Sequence, residues 1–172
     1  MKNLKPPASP TAFKTAPELV AEPLVTIYQG WRELAGGRFA PRRREVDPAR
    51  FKAHLDSVFL VEVVGESVDF RLGLAGDRVM RFLGSEFKVG KLLSEIATSP
   101  FQERSVLLFR RCVGTRAPVA LGPVRTLHDD RDFLDIETII LPLSDDGVSV
   151  TGLLGGVHLT PALDVGRKPA TP

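Results

Sequence analysis

The sequence predicts an α+β domain built on one five-stranded antiparallel sheet, with helices on one face of the sheet and an additional amphipathic helix at the N-terminus. Three observations support this prediction. Five segments have the alternating or continuous apolar pattern of strands. Short turn sequences join the first two strands and the last three, so neighbouring strands run antiparallel. A helical segment separates the two groups, and it has to cover the apolar face of the sheet.

Length and composition favour one domain with short tails. The chain has 172 residues, of which 43% are hydrophobic, which is enough for a proper core. We expect the folded domain to span residues 18–163, with disordered tails at 1–17 and 164–172, because these tails are rich in proline and polar residues. No apolar run resembles a signal peptide or reaches the length of a membrane span. We therefore expect a cytoplasmic protein.

The net charge and the cysteine content limit the binding partners and the disulfide chemistry that the sequence can support. The net charge of +2 gives no strong field that would select nucleic acid or a membrane surface. The run Arg42–Arg44 is interpreted as a solvated loop. Cys112 is the only cysteine, which excludes an intrachain disulfide, and its apolar helical setting predicts a buried structural thiol.

The N-terminal helix is predicted at about residues 23–35. Pro23 suits the first turn of a helix, and Gly36-Gly37 suit its end. Between them, apolar residues at spacings of three and four form a single stripe that contains two large aromatic side chains. Such a stripe can pack on the sheet or on a second copy of the chain. We predict a homodimer through this stripe, which comprises Leu24, Ile27, Tyr28, Trp31 and Leu34.

The first two strands follow a short helix. Asp47-Pro48 has the pattern of an N-cap and a first helical residue. Residues 58–64 are almost wholly apolar, which predicts a strand covered on both faces. Gly65-Glu66-Ser67 predicts a hairpin turn. The next strand alternates, which places Val68, Phe70, Leu72 and Leu74 on one face.

The second half contains a longer helix and three strands. Short helical segments end at Gly84 and follow Gly90, and the longer helix begins at a capping box, Ser99-Pro100-Phe101-Gln102, and ends at Gly114. The three strands are predicted at 119–127, 133–143 and 148–157, with turns at 128–132 and 145–147.

Short segments between about residues 28 and 157 form an ordered set. They are Trp31–Arg38, Pro41 with Arg43, Asp47-Pro48, Phe70–Leu72, Leu74–Gly76, Gly84–Phe87, Gly90-Lys91 and Glu137–Ser144. The set resembles PAS_5, a PAS-like family of alphaproteobacterial proteins once described as a domain of unknown function. Val89 stands where this family usually has a helix-capping threonine. The resemblance implies a PAS-like fold and signalling or regulatory use, but no particular cofactor.

Motifs for catalysis are missing, so we predict that the protein is not an enzyme. The sequence has no nucleophile elbow, no paired-histidine metal motif and no phosphate-binding loop. His54, His128 and His158 are far apart, which favours ordinary structural roles over haem or metal ligation. Cys112 lacks the Asn-Cys-Arg-Phe context of flavin-adduct PAS sensors. Signatures of an output domain are also missing, so we expect the protein to act through an unidentified protein partner.

Four polar residues are candidates for a ligand pocket or a buried polar cluster. Glu137 shares a face of its predicted strand with Ile139 and Leu141, and a buried carboxylate needs a partner. Arg125 across the hairpin, or Arg71, could be that partner in an internal ion pair. Alternatively, the carboxylate could orient a small molecule in a pocket. The full candidate set is Arg71, Arg125, Asp135 and Glu137, and any undetected catalytic site would also have to use it.

The leading hypothesis is a regulator that responds to a small ligand or a cellular state by changing its protein contacts. The alternative is an interaction or scaffold module with a fully packed core. A pocket on the order of several hundred cubic ångströms between sheet and helices would favour the first. A remote alternative is a cyclic-dinucleotide binder, because Arg38 and Arg42 form R-x-x-x-R and residues 147–152 approach D-x-S-x-x-G. Gly147 replaces the acidic residue of that second motif.

Overall fold

The computed structural model describes residues 18–66, 68–84, 87–96, 100–128 and 132–161. In this part of the chain the five strands form one antiparallel sheet in the order β2-β1-β5-β4-β3. The predicted α+β class and five-stranded antiparallel sheet are therefore confirmed. The α-helices are α1 (Glu22–Ala35), α2 (Asp77–Leu83) and α3 (Pro100–Thr115), and the strands are β1 (Val58–Val64), β2 (Asp69–Ala75), β3 (Val119–His128), β4 (Asp132–Leu143) and β5 (Gly152–Pro161).

The last strand lies in the centre of the sheet. β5 pairs with β4 on one side and with β1 on the other, so it joins the first hairpin to the final three strands. Alternate side chains of a strand point to opposite faces. Central strands of this sheet therefore have to be apolar on both faces, which matches the buried stretch from Gly152 to Val157.

The two faces of the sheet are covered by different elements. We call the face under α1 the outer face and the face under α2 and α3 the inner face. On the outer face, α1 and the 3₁₀ segment Pro48–Ser57 pack on residues such as Leu60, Ile139 and Leu154. The inner-face cluster joins α2 and α3 to the sheet through Val79, Leu108, Phe109, Cys112, Phe59, Phe70, Leu72, Ile140, Leu153 and Val157.

The N-terminal helix is attached to the outer face by packing, and a buried hydrogen bond from Trp31 adds to this packing. Leu24 and Ile27 are fully buried. The indole Nε1 of Trp31 donates a 2.8 Å hydrogen bond to the carbonyl oxygen of Pro142 on β4. A Cβ on Gly156 of β5 would lie 2.9 Å from Leu24 Cδ2 and 3.0 Å from Ile27 Cδ1. Glycine at this position therefore allows α1 to approach the sheet closely.

The predicted helix start at Asp47-Pro48 is confirmed. The Asp47 carboxylate accepts a 2.9 Å hydrogen bond from the backbone N–H of Ala49. This cap begins the 3₁₀ segment that places Phe51 in the outer-face core.

The predicted alternation of β2 is wrong at its end. Phe70 and Leu72 lie on the inner face, but Leu74 packs on the outer face. In the β1–β2 pairing, Val61 lies opposite Leu72 and Leu60 lies opposite Leu74, so Gly73 is an extra residue. This β-bulge reverses the direction of every side chain that follows it.

The predicted start of the last strand is also wrong. β5 begins at Gly152 rather than Val148, and residues 145–149 form a loop. The Asp146 carboxylate holds this loop by accepting 2.8 Å hydrogen bonds from the backbone N–H groups of Val148 and Ser149. Hydrogen bonds to this carboxylate, with that from the Ser149 hydroxyl the strongest, hold the pKa of Asp146 well below its ordinary value.

Some predictions lie outside the described residues. They are the two tails with residues 162–163, Ser67 of the first hairpin turn, Ser85 and Glu86 of the segment Gly84–Phe87, Ser99 of the capping box, and residues 129–131 of the turn between β3 and β4. Within the ranges that the structure does describe, no helix is long and apolar enough to cross a bilayer.

Candidate functional site

A cavity of about 520 Å³ lies between the inner face of the sheet and the helices that cover it. This volume falls in the range of small-molecule binding sites. The floor comes from the sheet, and the walls come from α2, α3 and described residues between these two helices, such as Phe87 and Leu93. The apolar residues that line it include Phe59, Val61, Phe70, Leu72, Val79, Phe82, Leu83, Phe87, Leu93, Ile96, Val106, Leu108, Phe109, Leu121, Val124, Ile136, Ile140 and Val157.

Three aromatic rings anchor α3 at one end of the cavity. The ring of Phe109 meets Phe70 edge to face, with centroids 5.2 Å apart, and meets Phe59 at 6.0 Å. Such tilted pairs are favourable beyond the apolar area that they bury. The ring of Phe109 therefore ties α3, which lies nearest to β4 and β3, to β1 and β2 as well, and it forms part of the cavity wall.

A glycine of the central strand makes room for one of these rings. A Cβ on Gly155 would lie 1.9 Å from Cζ of Phe59, so the ring lies directly over the β5 backbone. No side chain fits between them, and Phe59 becomes part of the cavity floor. The pair Gly155-Gly156 thus serves both faces of the sheet, the first residue under Phe59 and the second under α1.

The sheet contributes one polar side chain to the cavity floor. The Thr138 hydroxyl of β4 donates a 2.8 Å hydrogen bond to the carbonyl oxygen of Gly156 on β5. Because its proton is already used, this hydroxyl offers a ligand only acceptor capacity.

The other polar side chains that line the cavity are half-buried or exposed, and on this ground we assign them to its rim: Asp69, Ser94, Glu103, Arg104, Ser105 and Arg110. The Asp69 carboxylate accepts a 2.7 Å hydrogen bond from the Phe70 N–H and a second from the Ser94 hydroxyl. Desolvation raises the pKa of Asp69, but the hydrogen bonds from Ser94 and Phe70 and the charge of Arg110 together hold the pKa below its ordinary value. Asp69 is therefore an ionised and well-satisfied group.

Glu137 has a different role from either of the two predicted ones. It is only 3% exposed and lies on the outer face, away from the cavity. Its carboxylate accepts hydrogen bonds of 3.1 and 3.2 Å from the backbone N–H of Val20 and one of 2.6 Å from that of Ala21. Ala21, the N-cap residue of α1, provides no side-chain cap. Glu137 therefore holds the start of α1 on β4, where its negative charge also suits a helix N-terminus.

The predicted ion-pair partners of Glu137 are wrong. Arg125 instead lies opposite Asp135 in the β3–β4 pairing, with Nε 3.1 Å from Oδ1. Arg71 lies opposite Glu62 on β1, with 2.8 Å between Nη1 and Oε2. The four candidate residues are not brought together, and none of them lines the cavity.

The residues predicted for a dimer interface divide into two groups. Leu24, Ile27 and Trp31 are buried against the chain's own sheet. Tyr28 and Leu34 are half-buried at the edge of the same cluster. Only these last two reach the surface, so the homodimer stays a prediction, with a smaller set of available residues.

Other predicted features have structural roles. Cys112 is fully buried, as predicted, and burial raises the pKa of its thiol to about 12. Arg38 donates to Glu45 at 2.8 Å and to the Leu34 carbonyl oxygen at 2.6 Å, at the end of α1. In the described ranges, no three His, Cys, Asp or Glu side chains cluster as metal ligands.

The sequence could suggest a pocket between sheet and helices, but it could not show that one exists or which residues line it. Its lining residues have the alternating apolar pattern of any buried strand or helix. The only available signal was the number of phenylalanines that share the inner face, and this pattern does not distinguish a filled core from a cavity.

Comparison with known proteins identifies one family. The sequence model of PAS_5, described as a PAS domain, matches residues 20–157. This range includes α1, most of β5 and all residues that line the cavity. No curated protein matches the chain.

We predict that Glu137→Gln loosens α1. The glutamine amide removes the negative charge that strengthens these hydrogen bonds, and its own N–H groups would face the backbone N–H groups of Val20 and Ala21. We therefore expect the free energy of unfolding to fall by about 1–3 kcal/mol. Urea denaturation measures this change, and hydrogen exchange should show faster exchange in the first turn of α1. The matched control is Glu62→Gln, which removes an exposed ion pair worth less than about 1 kcal/mol. Equal effects of the two substitutions would contradict the role given to Glu137.

Proposed function

Since the chain belongs to the PAS_5 family of PAS domains, we propose that it is a regulatory module that binds a small apolar ligand and changes its contacts with a protein partner. The observation that carries this proposal is the cavity of about 520 Å³ on the inner face. A ligand-free interaction module would be expected to fill this space to the usual density of a protein core. The proposal therefore favours the ligand-binding form of the module over the scaffold form.

The route from ligand to partner is short, because the sheet is a single layer. A ligand on the inner face would touch Thr138, whose hydroxyl donates to the Gly156 carbonyl oxygen. Gly156 in turn touches Leu24 and Ile27 of α1 on the outer face. A small shift between β4 and β5 would therefore change the packing of α1, since packed contacts tolerate little displacement.

We also propose that the protein has no catalytic activity of its own. PAS domains are in general non-catalytic sensory modules. In this chain, the polar residues predicted as candidates form separate ion pairs or hold α1, and they do not converge on the cavity.

A cytoplasmic location is part of the proposal. The sole cysteine, Cys112, is an unpaired buried thiol, which needs no oxidising compartment for its function.

A homodimer formed through the surface side of α1 completes the proposal. Tyr28 stacks on Trp31 with ring centroids 6.1 Å apart, and Arg32 lies 5.7 Å from the centre of the Tyr28 ring. An aromatic and a cationic side chain on one helix face are common at protein interfaces. Because this helix rests on the outer face, any change in its packing would alter a contact between two copies.

Binding of a neutral apolar probe should change the hydrogen exchange of α1. We expect N-phenylnaphthylamine to bind saturably in the cavity and to alter exchange at residues 22–35, on the opposite face of the sheet. Leu121→Trp places an indole ring in the cavity, where it would overlap with the probe. Such overlap costs more than about 1.4 kcal/mol, so probe binding should weaken by roughly tenfold or more. Val148→Trp, in the exposed loop before β5, is the matched control and should leave binding unchanged.

Two results would count against the proposal. Binding without any change in α1 would contradict the proposed route to the partner. Absence of saturable binding would favour the ligand-free interaction module.

The dimer is tested by sedimentation of a surface variant of α1. Tyr28→Glu combined with Leu34→Glu puts two like charges on the half-buried side chains, so we expect a monomer with an unchanged circular dichroism spectrum. Wild type should sediment as a dimer at high micromolar concentration. Gln29→Glu adds one charge to an exposed position of the same helix and should leave the dimer intact. A monomeric wild type, or a dimer that survives the double substitution, would remove this part of the proposal.

A further inference from the structure

We propose that the ligand of the cavity is an amphipathic carboxylic acid. Its apolar body would lie on the inner face of the sheet, and its carboxylate would meet the guanidinium groups of Arg104 and Arg110 at the rim. This inference rests on the proposed function and adds the chemical class of the ligand.

The interior of the cavity selects an apolar body. Apart from Thr138, and Asp69 at the rim, the side chains that the sheet presents to the cavity are aliphatic or aromatic, and the Thr138 hydroxyl already donates to Gly156. Burying a polar group without a hydrogen-bond partner is costly, so a ring system with many donors and acceptors, such as a flavin or a nucleotide base, fits poorly. The described lining also contains no histidine, cysteine or methionine to provide an axial bond to a haem iron.

The rim selects an anionic end. Arg104 and Arg110 both line the cavity and are exposed. Neither guanidinium forms a direct hydrogen bond or ion pair within the part of the chain that the structure describes, although the charge of Arg110 acts on Asp69. The carboxylate oxygens of Asp69 already accept hydrogen bonds from the Ser94 hydroxyl and the Phe70 N–H. A guanidinium presents two parallel N–H groups, which match the two oxygens of a carboxylate.

One group at the rim competes with this assignment. Glu103 also lines the cavity, and its carboxylate would suit a cationic end instead. Two guanidiniums and one available carboxylate favour the anion. The experiment below tests the cationic alternative with decylamine.

Isothermal titration of the full chain with matched probes tests the inference. Decanoate, decanol and decylamine share a ten-carbon chain and differ in the charge of the head, while naphthylacetate carries the same carboxylate on an aromatic body. We expect decanoate to bind roughly tenfold more tightly than decanol, which is the contribution of about one charge-assisted hydrogen bond. Comparison of decanoate with naphthylacetate shows whether a fatty or an aromatic acid fits better.

Substitution of the rim should remove this preference. In the double variant Arg104→Gln and Arg110→Gln, decanoate affinity should fall to that of decanol, while decanol affinity stays unchanged. Arg111→Gln, on the same helix but outside the cavity lining, is the matched control and should keep the preference for the acid.

The outcomes separate this inference from the proposed function. Equal binding of decanoate and decanol, with no effect of the double variant, would overturn the assignment of a carboxylic acid. It would leave the proposal of an apolar ligand in the cavity unchanged. Tighter binding of decylamine, lost in Glu103→Gln, would overturn it in favour of a cationic ligand. Failure of all four probes and of neutral N-phenylnaphthylamine would overturn the proposed function as well.

Discussion

The structure depends on a sheet that is apolar on both faces. Leu153 and Leu154 of the central strand are completely buried on opposite sides, so neither face can be left to water. The chain covers the two faces in different ways. The outer face receives α1 and the 3₁₀ segment Pro48–Ser57 in direct contact, whereas the inner face receives α2 and α3, which leave about 520 Å³ unfilled.

The glycine pair of β5 allows one strand to support α1 on the outer face and the cavity on the inner face. Gly156 brings α1 close to the outer face, and Gly155 lets the Phe59 ring lie on the inner face as the floor of the cavity. Because Phe59 of the floor lies against Gly155 and α1 lies against the next residue, Gly156, the cavity and α1 are separated by a single backbone. This proximity is the physical basis for the proposal that a ligand in the cavity would change the packing of α1 on the opposite face.

Sequence patterns predicted the elements well, because periodicity depends on which face of each element is buried. The stripe of α1 and the shared face of Glu137, Ile139 and Leu141 were both apparent in this way. Leu74 was misplaced because the bulge at Gly73 depends on the register with β1, which no local pattern contains. The partners of Glu137 were missed because they are backbone N–H groups 116 and 117 residues away, and any residue type can provide those. The cavity stayed a hypothesis because its volume depends on the distance between layers, and the alternating pattern contains no such distance.

Xenon binding to crystals of the protein tests the central claim most directly. Xenon occupies apolar cavities that lack polar partners for ordered water. The account predicts xenon density between the inner face and α3, beside Phe59, Phe70 and Phe109. An inner face packed without space for xenon, or a chain of ordered waters in its place, would contradict it.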